Sequence, residues 1–256
     1  TDELIERQGI IYEINSQTPF SGRSVSYLEN GQRIGEETYK DGKIDGSVRI
    51  YYENGELKSK GKYKDGELDG SFEFYFENGQ LKSRGSSKNG QPDGLTETFY
   101  ENGQLRSKVN RVVGMPHGLV EEYYDNGQIK NEENYINGKT NGLRKSYYEN
   151  GQLSLTGNIE NNQLVGFHKH YYRNGQIEKE INFKNSKRYN LWKEYYENGQ
   201  LKIEGNYIDN LKDGEWKEYD EKGNLKSKTY FEIHKDYHEN GQLKSEGNYG
   251  DSKKGG

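Results

Sequence analysis

Polar and apolar residues alternate along short segments of this chain, and the segments themselves recur every 24 residues. In residues 46–69, GSVRIYYENGELKSKGKYKDGELD, two alternating stretches are separated by Glu-Asn-Gly-Glu and followed by Asp-Gly. Period-2 alternation bounded by turn residues is typical of β-strands, and Asn-Gly is a strong hairpin signal. These residues are therefore predicted to form one β-hairpin with a type I′ turn at Asn54-Gly55.

Glycines mark the repeat at two positions. Turn glycines lie 24 residues apart at Gly31, Gly55, Gly79, Gly103, Gly127, Gly151, Gly175, Gly199 and Gly223. A second series runs Gly22, Gly46, Gly70, Gly94, Gly118, Gly142 and Gly166, has Asn190 in place of glycine, and resumes at Gly214. The last turn glycine, Gly241, follows Gly223 by only 18 residues. Either the final hairpin has a shortened connection, or a loop is omitted there.

Alternation assigns the side chains of each hairpin to two faces. The first face carries Val48, Ile50, Tyr52, Leu57, Gly61 and Tyr63, and the second face carries Arg49, Tyr51, Lys58, Lys60 and Lys62. On the first face, Phe72 is expected to cover Gly85 and Trp192 to cover Gly205, since aromatic rings stabilise cross-strand glycines in this way.

These patterns predict an all-β fold: an elongated single-layer antiparallel sheet of consecutive 24-residue β-hairpin repeats, in the manner of a solenoid ribbon. Residues 1–21 fit the repeat poorly and are predicted to form an N-terminal cap strand. Residues 22–249 are the repeats, about nine to ten units with the last one shortened. Residues 250–256 are predicted to be a flexible tail.

Composition alone is ambiguous between a folded and a disordered chain. Only 29% of the residues are apolar and 31% are charged, which favours disorder, but 23 Tyr, 8 Phe and a strict repeat favour a solenoid. The net charge of −5 argues against nucleic acid as a partner and mildly against anionic membrane lipid. The absence of Cys excludes a thiol nucleophile and disulfides. Acidic residues recur at the turns as part of the repeat, so no enzyme and no cofactor are expected.

Two sets of residues are candidates for partner binding. On the first face, adjacent hairpins place Arg144, His168, Trp192 and Trp216 in one row that is expected to be exposed, and aromatic and Arg side chains dominate binding hot spots. On the second face, an aromatic residue recurs in each repeat and could act as a stacking platform, as at Tyr123, Tyr147, Tyr171 and Tyr195. The alternatives are that the row is drifted surface and that the tyrosines only stiffen the sheet.

His168 and His170 alternate onto one face of a strand, and two imidazoles in this arrangement bind a metal only weakly. Metal sites need three or four ligands, and no third ligand is apparent, so no metal site is predicted. His170 is retained as a candidate binding residue beside His168.

The recurring pattern GxxxxYYENGQLKxxGxYxDGxxD resembles the MORN-variant repeat, with its best copies at Gly46–Asp69, Gly70–Asp93 and Gly142–Val165. The resemblance covers roughly Gly22 to Tyr249. Proteins with similar repeats include YwqK-like proteins, which are labelled antitoxins, and exported bacterial repeat proteins. It implies sheets of consecutive hairpins that serve protein–protein contacts. The ordinary MORN repeat is also assigned to lipid association, but this chain departs from its YxGxW-like pattern.

The resulting hypothesis is a non-enzymatic scaffold for protein–protein interaction, exported to the periplasm, the cell surface or the medium. One alternative is an antitoxin-like neutralising partner of a toxin, which would be cytoplasmic. A second alternative is a cell-wall or glycan binder that uses exposed Tyr ladders. Self-association through sheet edges is a further expectation, because unpaired strand edges can add another strand.

Overall fold

The computed structural model describes residues 4–254. The chain divides into two units, residues 1–127 (unit 1) and residues 128–256 (unit 2). In each unit, successive strands pair antiparallel with their neighbours in sequence. The predicted all-β fold of consecutive antiparallel hairpins is therefore confirmed within each unit. Over the described range, no helix has the length and apolarity needed to cross a membrane.

Unit 1 contains twelve strands. They are β1 (Leu4–Arg7), β2 (Ile10–Glu13), β3 (Gly22–Tyr27), β4 (Arg33–Lys40), β5 (Lys43–Tyr51), β6 (Leu57–Lys64), β7 (Glu67–Tyr75), β8 (Leu81–Lys88), β9 (Gln91–Pro92), β10 (Gly94–Phe99), β11 (Leu105–Val112) and β12 (Met115–Tyr123).

Unit 2 contains the remaining described strands. They are β13 (Ile129–Ile136), β14 (Lys139–Thr140), β15 (Gly142–Tyr147), β16 (Leu153–Glu160), β17 (Gln163–Tyr171), β18 (Ile177–Lys184), β19 (Lys187–Tyr195), β20 (Leu201–Ile208), β21 (Leu211–Tyr219), β22 (Leu225–Tyr237) and β23 (Leu243–Lys254).

The Asn-Gly turn differs from the predicted type I′ turn. Gly55 N–H donates to the Tyr52 carbonyl (2.9 Å), and Tyr52 N–H donates to the Glu56 carbonyl (2.8 Å). Only Gly55, at φ +89°, is in the left-handed region, so Glu53 and Asn54 are the central residues of a turn that Gly55 closes. The extra residue makes a bulge, and Leu57 pairs with Tyr51, whereas a two-residue type I′ loop would place Leu57 opposite Tyr52.

The type I′ geometry occurs at the other turn of the repeat. Asp65 and Gly66 both have positive φ, at +51° and +90°. Asp, Asn and Gly tolerate this conformation, and they fill most copies of the turn. Ser186, at φ +63°, and Val113, at φ +49°, are the departures, and Val113 is the more strained because it is β-branched.

The second glycine series lies in a wide bulge. In the pairing of β6 with β7, Gly61 opposes Phe72 and Tyr63 opposes Leu68, so Lys62 alone faces three residues, Asp69 to Ser71. Gly70 absorbs this mismatch at φ +123°. Asn190, which replaces glycine at the equivalent position, has φ +58°, a value that Asn tolerates better than most residues.

Hydrogen bonds between neighbouring turns hold successive hairpins together along one edge. Tyr172 Oη donates to the backbone carbonyl of Tyr195 (2.7 Å), and Asn174 Nδ2 donates to that of Glu197 (2.9 Å). The same tyrosine bond joins Tyr52 to Tyr75, Tyr100 to Tyr123, Tyr148 to Tyr171 and Tyr196 to Tyr219. The second aromatic of each repeat is therefore more than an apolar packing residue.

A matching set of bonds holds the opposite edge. Gly66 N–H donates to the Ile44 carbonyl (2.8 Å), and Gly90 N–H donates to the Leu68 carbonyl (3.0 Å). In unit 2, Asn210 N–H donates to the Arg188 carbonyl (3.1 Å) in the same way. Both edges of each repeat are thus bonded to the neighbouring repeat through the turns.

The most buried apolar side chains lie on the first face. In unit 1 the buried residue of this kind is Val48, and in unit 2 they are Ile159, Ile181, Tyr207 and Trp216. Both predicted pairs, Phe72 with Gly85 and Trp192 with Gly205, are present in the strand register, and Phe72 covers Gly85. The expectation that Trp192 covers Gly205 is wrong, because the ring over that glycine is Trp216 from the other neighbouring strand. The first face is therefore the apolar side of each sheet.

The N-terminal cap has two strands, where the sequence predicted one. β1 and β2 form a hairpin of their own, and residues 1–3 lie outside the described range. Ile11 N–H donates to the Gly42 carbonyl (2.9 Å), and Gly42 N–H donates to the Phe20 carbonyl (2.8 Å). Phe20 and Tyr39 are in ring contact, with centroids 5.8 Å apart. The cap thus binds the first type I′ turn of the repeats.

At the shortened repeat, a single long strand replaces a hairpin. β22 continues to Tyr237 through the place where the other repeats turn. It pairs with β21 from Leu225 to Phe231 and with β23 from Ser227 to Tyr237. β23 in turn extends to Lys254, so residues 250–254 are strand where the sequence predicted a flexible tail. The long partner strand supplies the ladder that orders them, and residues 255–256 lie outside the described range.

Replacing Tyr172 with Phe is expected to lower the free energy of unfolding by about 0.5–1.5 kcal/mol, the usual net contribution of one hydrogen bond. Urea denaturation would measure it. Phe76 occupies the same repeat position without a hydroxyl, so Phe76→Tyr is expected to have the opposite sign. Tyr230→Phe, at a side chain that is 61% exposed, serves as the control. An unchanged stability of Tyr172→Phe would contradict a role for the hydroxyl in joining hairpins.

Val113→Asn is expected to stabilise the chain by about 1 kcal/mol, because Asn relieves part of the left-handed strain of a β-branched residue. Val113 is 64% exposed, so little apolar burial is lost. The same denaturation measurement checks this, with Val112→Asn, outside the turn centre, as the matched control. A lower free energy of unfolding for Val113→Asn would show that contacts of the valine side chain stabilise the fold by more than its backbone strain destabilises it.

Candidate functional site

A row of paired charges runs across the strands on the second face. In unit 2, Lys169 Nζ lies 3.0 Å from Glu180 Oε1, and Lys193 Nζ lies 4.0 Å from Glu204 Oε2. Lys145 and Lys217 extend the row through Glu132 and Glu204 at 3.7 and 3.9 Å. Each pair is half-exposed, so its main effect is to fix the positions of the side chains.

The predicted tyrosine platform is joined to this charged row. Tyr147 Oη donates to Glu132 Oε2 (2.6 Å) and Tyr195 Oη donates to Glu180 Oε2 (2.8 Å). Burial, followed by these hydrogen bonds, raises the pKa of both hydroxyls to about 12. Tyr171 is half-buried in the same unit, whereas Tyr123 lies in unit 1 at the end of β12. The hydroxyls of Tyr147 and Tyr195 are thus engaged by neighbouring carboxylates.

The predicted first-face row is largely buried, contrary to the expectation that it is exposed. His168 is 2% exposed and Trp216 is 4% exposed. Trp192 is partly buried and lies 5.4 Å from Tyr207 between ring centroids, and Arg144 Nε lies 3.0 Å from Glu133 Oε1. The row is covered because each sheet packs its apolar side chains on this face. Whether any of the four binds a partner stays a prediction.

His168 and Trp216 occupy equivalent positions and make equivalent contacts. A Cβ on Gly157 would lie 2.0 Å from His168 Nδ1, and one on Gly205 would lie 2.2 Å from Trp216 Cδ2. His168 Nε2 lies 2.9 Å from the Asn158 carbonyl, and Trp216 Nε1 donates to the Asn206 carbonyl at 3.2 Å. The His168 imidazole therefore covers Gly157 in the same way as the Trp216 indole covers Gly205 two repeats later.

His170 is only partly buried and lies beside His168 on β17. Burial lowers the pKa of both imidazoles, which favours their neutral forms. Within residues 4–254, no group of three or more His, Cys, Asp or Glu side chains is placed to hold a metal ion.

Sequence reasoning missed an exposed apolar row on the second face. In unit 2, Leu143 is 49% exposed and Phe167 is 56% exposed, and Leu191 lies at the same position in the next repeat. In the strand register they oppose amide side chains, in the pairs Leu143 with Asn158, Phe167 with Asn182 and Leu191 with Asn206. We name these six residues the leucine–asparagine row.

The signal for this row is in the sequence, at the residue that follows each glycine of the second series or its Asn190 replacement. That residue is polar at both ends of the repeat array and apolar in the middle: Arg23, Ser47, Ser71, Leu95, Leu119, Leu143, Phe167, Leu191 and Glu215. Comparison of equivalent positions between repeats would have found it, whereas alternation within one hairpin does not.

The buried imidazole predicts a loss of stability in mild acid. Burial lowers the pKa of His168 in the folded chain, and the Arg144 charge acts in the same direction, although backbone hydrogen bonds of Asn158 and Val165 oppose them. The unfolded chain therefore takes up the proton first. The stabilisation is complete above about pH 6.5 and is lost below it, by at most about 1.4 kcal/mol per pH unit for one proton.

Urea denaturation at pH 7.5 and pH 5.5 measures this loss, and His168→Trp is the matched variant because Trp216 already fills the equivalent position. We expect that variant to lose less stability in acid than the parent. His170 contributes in the same direction in both proteins. Equal losses would show that His168 does not set the pH dependence. The double variant Trp192→Ala with His168→Ala is expected to destabilise the chain, because the buried ring of His168 is removed.

Comparison with known proteins gives one specific match. The family model described as MORN repeat variant matches residues 21–41, 44–65, 68–89, 92–112, 116–137, 140–161, 164–185, 188–209, 212–232 and 233–251. A search of curated proteins finds no match.

Solved structures show only a weak likeness. The crystal structure of TcdB2-TccC3-Cdc42 is 12% identical over 88% of this chain and 15% of that chain, with a TM-score of 0.22. The Photorhabdus luminescens Tc holotoxin pore is 12% identical over 93% of this chain and 16% of that chain, with a TM-score of 0.19. This chain thus spans about a sixth of theirs, and at such TM-scores the likeness carries no argument. The ten matched repeats cover most of the sequence, and the chain belongs to the MORN repeat variant family.

Proposed function

We propose that this chain is a non-enzymatic repeat scaffold that binds a protein partner through the second face of unit 2. The leucine–asparagine row is the observation that supports the proposal. Leu143 and Phe167 are half-exposed although the same repeat position is polar in Ser47, Ser71 and Glu215, so the fold does not require an apolar residue there. An apolar strip that the fold does not need is a mark of an interaction surface.

The surroundings of the row suit a protein partner. Equivalent residues of adjacent hairpins are two strands apart, about 10 Å, so the row offers separate anchor points on a broad surface. The facing amides of Asn158 and Asn206 are exposed and can both donate and accept hydrogen bonds. The charged row beside them presents both signs of charge. An apolar centre with a polar rim is the usual composition of protein interfaces.

The tyrosine contacts favour this reading over a glycan-binding platform. Tyr147 and Tyr195 already donate their hydroxyls to Glu132 and Glu180, and their rings are half-buried. Each of these glutamates is also paired with a lysine, an arrangement that stiffens the surface. A toxin neutralised by this chain would be one kind of protein partner, and the same experiment would identify it.

The test is affinity capture with three baits, namely the parent chain, a row variant and a control. The row variant is Leu143→Ser, Phe167→Ser and Leu191→Glu, because the chain itself has Ser and Glu at this repeat position. We expect it to lose the captured protein with a drop in affinity of tenfold or more, about 1.4 kcal/mol. The free energy of unfolding should stay within about 0.5 kcal/mol of the parent.

Ile208→Ser, at an exposed apolar residue that ends β20 of the same unit, is the control and is expected to keep the partner. Capture of the same protein by the row variant at unchanged affinity would contradict the proposed surface. Saturable binding of a glycan, with no protein captured by the parent chain, would contradict the proposed class of partner.

A further inference from the structure

A small cavity lies on the second face of unit 1, above the backbone of Gly61. It has a volume of about 120 Å³ and is lined by residues 47–49, 60–62 and 71–73 of three adjacent strands. Val48, Gly61 and Phe72 belong to the first face, but the space beside Gly61 on that face is filled, since a Cβ there would lie 2.9 Å from Leu68 Cδ1. Leu68 does not line the cavity, which is therefore assigned to the opposite face of the backbone. The six side chains around the rim all belong to the second face, and they are Ser47, Arg49, Lys60, Lys62, Ser71 and Glu73.

The wide bulge of the repeat forms one side of the cavity. Lys62 faces Asp69 to Ser71 without a one-to-one partner, and Ser47 is opposite Lys62 on the other neighbouring strand. The volume equals the share of about four waters in the liquid, which is enough for one tetrahedral oxyanion. The cavity is open to solvent, so a ligand that carries the oxyanion on a larger group can also enter.

Positive charge is in excess around this cavity. Lys60 Nζ is paired with Glu73 at 2.9 Å, whereas Lys62 has no acidic partner within ion-pair distance in the described part of the chain. Arg49 has only a distant pair, with Nη1 3.7 Å from Glu36 Oε2. Three cations therefore face one carboxylate at the rim.

The neighbouring carboxylate is already saturated. Glu36 is 6% exposed and accepts hydrogen bonds from Arg23 and Arg33 as well as the weaker approach of Arg49. Burial would raise the pKa of Glu36, but the hydrogen bond and charge of Arg23, with the charges of Arg33 and Arg49, lower it overall. The Glu36 carboxylate therefore stays ionised and neutralises one of the three guanidinium charges, so a net charge of two remains.

The basic character extends over strands β3 to β8, although the whole chain has a net charge of −5. In the middle of these strands, the second face carries the carboxylates Glu36 and Glu73. The cationic side chains that accompany them there are Arg23, Arg33, Arg49, Lys60, Lys62 and Arg84. The net charge hides this surface because six of the twelve acidic residues between positions 22 and 88 lie in the turns, whereas all twelve Lys and Arg residues of that range lie in strands.

We propose that the cavity above Gly61 binds a phosphate or sulfate group, held by Arg49, Lys60 and Lys62 with the hydroxyls of Ser47 and Ser71. Guanidinium and ammonium groups form charge-assisted hydrogen bonds with tetrahedral oxyanions, and serine hydroxyls complete the donor set. Unit 2 lacks this donor set, since four repeats later Leu143, Asn158 and Phe167 replace Ser47, Lys62 and Ser71. The site is therefore specific to unit 1.

Titration of the full chain with inorganic phosphate tests the proposal, with sodium chloride at matched ionic strength as the reference. Calorimetry gives the affinity, and the amide resonance of Gly61 reports on the cavity floor. We expect saturable binding and a local shift at Gly61. The variant Lys62→Asn with Ser47→Leu, which installs the residues found four repeats later, is expected to weaken binding at least tenfold.

Lys226→Ala, an exposed lysine of unit 2, is the control and should bind like the parent. Lys62→Gln is a second variant that removes the charge with the smallest change of shape. Tighter binding of glucose 6-phosphate than of phosphate would support a phosphate ester as the ligand, and equal binding would support the free anion. Non-saturable shifts that chloride reproduces, or equal affinity in parent and both cavity variants, would overturn the proposal.

Discussion

The bonding of each turn to the next turn is the interaction on which the rest of the structure depends. A sheet of hairpins with so few apolar residues has little core to hold it together. Tyrosine hydroxyls and asparagine amides add stabilisation that the small core does not provide, because they donate hydrogen bonds to the backbone of the following turn. Because these bonds lie at the edges, the residues in the middle of the strands are left free to vary. The side chains that differ between repeats, and therefore the candidate binding surfaces, are placed by turns that hardly change.

The sequence was sufficient for the repeat, the strands and most of the face assignment, since these follow from period 24 and period 2. The exception is the bulge after the Asn-Gly turn, which pairs Leu57 with Tyr51 and brings Lys58 over the Tyr52 ring. It was insufficient where the side chain of one hairpin meets another. The exchange of turn types illustrates this: Asn54-Gly55 has the composition of a type I′ turn, but Asn54 instead orients the turn and reaches the carbonyl of Glu77. His168 and Trp216 were expected on the surface because their residue types are common at interfaces. Their burial results from glycines in the neighbouring strand, which leave room for a ring.

The second face differs between the two units although the repeat is the same. Around the cavity of unit 1 the residue after the bulge glycine is serine and is accompanied by lysine and arginine, whereas in the leucine–asparagine row of unit 2 it is apolar and is accompanied by asparagine. A binding surface in this fold therefore depends on one variable position per repeat, and it is formed by the residues at that position in several adjacent hairpins. This explains why a search for motifs within a single hairpin located neither surface, since every local pattern there belongs to the repeat.

The fused strand β22 has a consequence for the last hairpin. A turn reverses the chain, and its loss leaves the chain running in one direction, so the side-chain alternation of Phe231 continues unbroken into Lys235 and Tyr237. Phe231 packs on the first face against Trp216, and Lys235 and Tyr237 follow it there. In earlier repeats their counterparts, Arg49 and Tyr51, lie on the second face. The ion pair of Lys235 with Glu246, at 3.0 Å, is thus a copy of the charged row built on the reverse side. The shorter spacing between Gly223 and Gly241 therefore does more than shorten the array. In the final hairpin, the residue types that belong to the second face lie on the first face.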